Sequence, residues 1–175
     1  MNLNQSDYLA SLLANINIAK QISPRNSIEL AVQFPIAISK QVSAGVKIES
    51  LAGVEHAIYI VRVAEPEKKS IAQVKEMLIG YKSTRERSCP KINKHNSPVL
   101  YVGSSTTGLL KRLNQHFGFG PAKTYALQLQ HWFKGGISIQ VMDYADTTRE
   151  ILQIVEDAIS SELLPMFGKQ GGNNK

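Results

Sequence analysis

The sequence predicts an α/β sandwich: a small central antiparallel three-stranded sheet flanked by helices, with an N-terminal extension and a basic insertion. Three observations carry this reading. The short β-branched runs AIYIVRV (57–63), PVLYVG (98–103) and ISIQVMDY (137–144) have the length and composition of strands. Segments with apolar residues at helical spacing separate and follow them. The chain has 175 residues, 43% of them apolar and 19% charged, enough to bury one core and too apolar for disorder.

Taken in order, residues 5–20 place Leu9, Leu12, Leu13 and Ile16 at helical spacing, and Pro24 ends that element. Ile28, Leu30, Val32 and Phe34 alternate with Glu29, Ala31 and Gln33, a strand period. Residues 36–52 have no decisive period. Residues 1–55 therefore read as an extension and 56–175 as the main domain, with residues 64–97 inserted after its first strand. Inside the insertion, Ile71, Val74, Met77 and Leu78 predict a helix over 70–81, and a basic loop follows to Pro98. After the strand at 98–103, GSSTTG makes a turn and LLKRLNQHF (109–117) a helix. Tyr125, Leu127, Leu129 and Trp132 predict a second helix over 124–133, broken by Gly135-Gly136. A long helix from about Thr148 to Leu164 stops at Pro165, and a glycine-rich tail ends the sequence.

Composition removes several function classes. A single cysteine, Cys89, excludes an internal disulfide and any multi-cysteine zinc site. The opening residues MNLNQSDYLA lack the basic and apolar regions of a secretory signal, and no apolar run reaches the roughly 18 residues of a membrane helix. A cytoplasmic, intracellular protein is expected. The formal net charge is +6 and the pI about 9.4, which suits an anionic partner. Between Pro66 and Pro98, eight basic residues stand against three acidic ones, so the insertion carries most of the excess. Such a run is either a phosphate-binding face or a solvated one.

The turn between Gly103 and Gly108 has the glycine spacing of a phosphate-cradling loop. Leu109 and Leu110 stand where that loop needs Lys and Ser or Thr, so nucleotide handling by this route is disfavoured. Backbone N–H groups at the turn could still face a lone phosphate, or simply cap the helix.

A scattered constellation is more informative. Tyr59 and Tyr101 fall in consecutive strands of the main domain, Arg112 and His116 in the helix after them, and Glu156 in the last helix. If the strands pair, the two tyrosines can share a sheet face, although a strand tyrosine is commonly a packing residue. Arg112 and His116, four apart, project from one side of their helix. Leu109, Leu110, Leu113 and Phe117 make its packing face, so the pair could also be plain solvent-side residues. On a helical wheel Leu163, Leu152 and Ile159 lie about 20°, 40° and 60° to one side of Glu156, which places it at the border of the apolar stripe. A half-buried carboxylate there suits a hard cation, or a structural role.

AIY, LYVG, GLLKRLNQH and VEDAISSELLP together resemble the four-part signature of the GIY-YIG nucleases. Pro165 stands nine residues after Glu156, as in that family; AIY replaces GIY, YVG replaces YIG, and Met166, Phe167 and Gly168 occupy the place of the usual asparagine. The resemblance covers residues 57–63 and 98–174. It implies a metal-dependent endonuclease hydrolysing DNA phosphodiester bonds, of restriction, mobile-element or phage-defence type. It further implies Tyr59 as general base and Tyr101 as hydrogen-bond partner of the water or phosphate. Arg112 would then stabilise the pentavalent phosphate, His116 assist proton transfer, and Glu156 hold one Mg²⁺, with Mn²⁺ as substitute. Gly103, Ser104 and Asn173, or Asn174 beside it, are candidate support residues. Lys82, Arg85, Arg87, Lys91, Lys94, Lys111 and Lys169 are the expected contacts to DNA, most simply double-stranded. Cutting both strands would need a homodimer or two sequential nicks. The competing expectation is a non-catalytic nucleic-acid-binding protein on the same scaffold.

Overall fold

A computed structural model of the chain describes residues 5–37, 47–64 and 70–169. The elements run α1 (Gln5–Gln21), β1 (Asn26–Phe34), β2 (Ala57–Val63), α2 (Ile71–Ser83), β3 (Val99–Ser105), α3 (Leu109–Phe117), β4 (Gly135–Asp143) and α4 (Arg149–Leu163), with short 3₁₀ turns at Glu49–Leu51 and Leu129–His131. The fold is α/β.

The sheet has four antiparallel strands in the order β1-β4-β2-β3, one more than expected. The extra strand comes from the N-terminal extension. β1 pairs with β4 along its whole length, from Asn26 opposite Asp143 to Phe34 opposite Gly135, and the buried salt-bridge partner Asp143 also holds Arg25 at 2.6 Å. Because Ile28, Leu30, Val32 and Phe34 alternate inward, β1 can lay one face on the core and leave the other to solvent.

The two sheet faces carry two apolar clusters. Tyr59, Val61, Leu100, Ile139 and Val141 pack with Leu109, Leu113 and Phe117 of α3 and with Val74 and Leu78 of α2. On the other face Ile58, Ile60 and Val102 pack with Leu152 of α4 and with Val155, Ile159 and Leu163 beside it. α1 lies along α4. α4 begins at Thr148, whose hydroxyl accepts the Ile151 N–H at 3.5 Å, and ends at Leu164 in left-handed conformation before Pro165.

Two further expectations change. Residues 124–133 are not a helix. Leu127, Leu129, Trp132 and Phe133 are buried from an irregular loop, with Gln128 at φ +59° and the Leu127 N–H bonded to His116 Nδ1 instead of to a helical carbonyl. Their spacing imitated a helical stripe because the loop tucks successive apolar side chains into the core. The basic stretch after α2 is also more ordered than a free loop: Ile92 bridges Phe167, and the Met166 and Phe167 N–H groups bond to Val99 and Leu100 carbonyls, covering the start of the outer edge of β3. Among the described residues no helix is long and apolar enough to cross a membrane.

Candidate active site

Where the outer edge of β3 runs past that cover, the strand, its following turn, α3 and α4 enclose a cleft of about 920 Å³. Tyr59, Tyr101, Gly103, Ser104, Arg112 and Glu156 all line it, so residues from two strands and two helices meet at one place. Register explains the first part. Tyr59 lies opposite Gly103, and Val61 opposite Tyr101, so both tyrosines stand on one face as diagonal neighbours. Their rings stack with centroids 6.1 Å apart and planes 16° off parallel. Gly103 is required for this: a Cβ there would come within 2.6 Å of the Tyr59 hydroxyl. At the C-terminal side of the cleft Gly168, at φ +109°, plays the same part beneath the Tyr101 ring.

Tyr59 is 1% exposed and forms the cleft floor. Burial, then the neighbouring Tyr101, push its phenol far above the usual tyrosine range, and the Arg112 charge only partly opposes this. Tyr101 is partly exposed; burial raises its phenol too, again opposed by Arg112. The Arg112 guanidinium is fixed by Gln115 Oε1 at 2.9 Å, by the Tyr125 carbonyl at 3.4 Å and by the Tyr101 hydroxyl at a long 3.5 Å. Burial pulls its pKa down, but the two phenol oxygens outweigh that and hold it above the ordinary arginine value.

His116 does not reach the cleft. It is 0% exposed, behind the tyrosines, with its Nε2 3.0 Å from the Tyr59 hydroxyl. Its Nδ1 accepts the Leu127 N–H at 3.2 Å, so in the neutral ring the proton sits on Nε2 and is donated to Tyr59. Burial, reinforced by Arg112, drives its pKa well below the usual histidine value, so the ring is neutral at physiological pH. The loop at 126–129 covers its far side, so any assistance to proton transfer from His116 has to pass through Tyr59.

Glu156 is half-buried, as its helical position suggested, and Ser104 Oγ donates to its Oε2 at 2.5 Å. Burial raises its pKa; the Ser104 bond lowers it, Asp157 raises it further, and Arg112 lowers it. Among the described residues no lysine or arginine forms an ion pair with this carboxylate, and no group of three or more histidine, cysteine or acidic side chains forms a metal cluster. A half-buried carboxylate without a cationic partner, beside a serine hydroxyl, fits one hydrated hard cation with most of its ligands water.

The basic residues divide. Lys91, Lys111 and Lys169 line the cleft. Lys82 Nζ is engaged with the Pro90 carbonyl at 3.0 Å, and Arg87 is held by the Gly120 carbonyl at 2.9 Å and Gln128 Oε1 at 3.2 Å, so these two tie the insertion to the core. Arg85 and Lys94 are exposed outside the cleft lining. Asn173 and Asn174 fall outside the described residues. Sequence reasoning missed Arg149, Gln115, Gln153 and Tyr125, which also line the cleft. Arg149 had a readable signal, since it precedes Glu156 by seven residues, two helical turns on the same face. Comparison with protein-family models, with curated proteins and with solved structures finds no match to the chain.

Proposed function

We propose that this protein is a metal-dependent endonuclease of GIY-YIG type that hydrolyses DNA phosphodiester bonds. The observation that carries the reading is the convergence of Tyr59, Tyr101, Arg112 and Glu156, nearly a hundred positions apart in the chain, on one cleft rimmed by Lys91, Lys111, Arg149 and Lys169. Phosphodiester hydrolysis needs an oriented water, neutralisation of charge on the phosphoryl oxygens and help for the leaving oxygen. Arg112 is held by three partners and keeps further N–H donors for a phosphate oxygen. Glu156, steadied by Ser104, would hold Mg²⁺ or Mn²⁺, which supplies charge neutralisation and an acidified water. In this reading His116 fixes the Tyr59 oxygen through its Nε2–H; positive charge in the cleft, by offsetting part of the burial, would let Tyr59 release its phenol proton to solvent, and the phenolate would then take one from the attacking water. Tyr101 orients the water or phosphate beside it.

Restriction, mobile-element or defence duty all suit a nuclease with this compact frame, and a homodimer is one way for it to cut both strands. A binding protein without cleavage is the second reading, and the 1% exposure of Tyr59 favours it. Incubation of supercoiled plasmid with the full chain and Mg²⁺, followed by sequencing of the ends, separates them. The nuclease reading expects cut DNA with 5′-phosphate and 3′-hydroxyl ends; plasmid that is bound and left intact with either metal overturns it.

A further inference from the structure

Tyr125 is 71% exposed, the most exposed of the large apolar side chains among the described residues, and it stands on the lining of the cleft. The loop beneath it is held by hydrogen bonds and by buried neighbours. The Tyr125 carbonyl accepts from Arg112 Nη2, Ala126 and Leu127 are fully buried, and the Leu127 N–H is held by His116. Gln128 closes the loop by donating from Nε2 to the Thr124 carbonyl at 3.0 Å while its Oε1 accepts from Arg87. The held backbone therefore keeps an exposed aromatic side chain on the cleft lining, its carbonyl bonded to the guanidinium best placed for a phosphate. A fixed two-torsion ring loses little conformational entropy on contact, and every nucleobase offers it a π-face.

From this geometry we infer that Tyr125 is a stacking platform for the nucleobase adjoining the phosphate held by Arg112. The inference rests on the nucleic-acid reading above and deepens it: the strand in the cleft is single-stranded or locally opened, since a base within an intact duplex has both faces covered by its neighbours. Lys111, the residue before Arg112 and also on the cleft lining, is placed to meet the next phosphate along the strand.

The test is equilibrium binding in EDTA at fixed ionic strength, read by fluorescence anisotropy, with the full chain and labelled strands of about twelve nucleotides. Three probes of equal phosphate count are used: a thymidine strand, the same strand made abasic, and a paired duplex. The wild-type chain is expected to bind the thymidine strand tighter than the abasic one by about 5- to 150-fold, the range for one stacked base. Tyr125→Ala should erase that difference and leave abasic and duplex binding unchanged, while Tyr125→Trp should keep it. If Tyr125→Ala weakens all three probes equally, or none, stacking is overturned while the nuclease reading stands. If the wild type binds no probe, the nucleic-acid reading itself falls, and the stacking role with it.

Discussion

His116 Nε2 donates to the Tyr59 hydroxyl across 3.0 Å, with the direction set on the far side of the ring by the Leu127 N–H. A buried loop thereby fixes the tautomer of one residue and the oxygen of another. The phenol oxygen has one lone pair occupied by that bond and keeps its own O–H and a second lone pair for a further partner.

This arrangement makes stability depend on pH. His116 is neutral in the folded chain, with its pKa well below that of the unfolded chain, about 6.5. As pH falls below that value the unfolded chain takes up a proton that the folded chain refuses, so stability is lost, by up to about 1.4 kcal/mol per pH unit. Chemical denaturation at pH 7 and pH 5 should show the loss in the wild type, and His116→Gln should remove most of it. At neutral pH His116→Leu should cost about 1–3 kcal/mol, because the Leu127 N–H and the Tyr59 hydroxyl lose a buried partner.

Glu156 behaves in the opposite sense. Its folded pKa is raised, so the folded chain holds the proton longer and stability falls as pH rises through the unfolded carboxyl value toward neutrality. Glu156→Gln should therefore raise the melting temperature at pH 7 and not at pH 3, since the amide oxygen can still accept from Ser104. Mg²⁺ should stabilise the wild type at pH 7 and leave Glu156→Gln unmoved. A wild type that is indifferent to Mg²⁺ up to tens of times the usual millimolar range (roughly, from mass action) would remove the carboxylate from the metal site.

Gly103 offers a steric probe. An added methyl would meet the Tyr59 hydroxyl at 2.6 Å and the Tyr101 ring at 2.7 Å, so Gly103→Ala must displace both phenols. Overpacking of this kind costs about 1–3 kcal/mol. Urea unfolding should read that loss, and any plasmid cleavage should drop by far more than DNA binding does.

Salt dependence distinguishes the two sets of basic residues. Replacing Lys91, Lys111, Arg149 and Lys169 by alanine should flatten the log–log salt slope of DNA affinity by roughly 3 to 4, close to one per phosphate contact. Arg87→Ala should instead lower stability and leave the slope nearly unchanged, because its guanidinium holds the Gly120 carbonyl and Gln128. The reverse pattern would move the phosphate path away from the cleft, onto the surface around Arg87.

The pH dependence of cleavage follows from the same side chains. Rate should fall as Glu156 gains its proton on the acid side. On the alkaline side it should go on rising above neutrality, since the bound cation and Arg112 would offset only part of the burial that raises the Tyr59 phenol. A plateau near neutrality would transfer the base role to another group.

Local pattern revealed most of the frame. The alternation of Ile28 to Phe34, the helical spacing of Ile71 to Leu78 and the border position of Glu156 all survive because each depends on near neighbours in the chain. What failed depends on distant ones. Pairing of Asn26 with Asp143 joins segments far apart in the sequence, and nothing in either segment names the other. Helical spacing sets His116 beside Arg112, yet the downstream loop at 126–129 covers only the histidine. That loop imitates a helix because Leu127, Leu129 and Trp132 enter the core from irregular backbone, and the same imitation conceals Tyr125. Basic composition marked the insertion, but composition cannot tell an arginine bonded to a carbonyl from one facing a groove.

The most direct measurement is cleavage of supercoiled plasmid by wild type and by Glu156→Ala, each with Mg²⁺, alongside DNA affinity for both. The account expects nicked or linear product from the wild type, loss of product by about 100-fold or more in the variant, and affinities within a few-fold of each other. Equal cleavage by both chains, or none by a wild type that binds DNA with Mg²⁺ and with Mn²⁺ present, would contradict it.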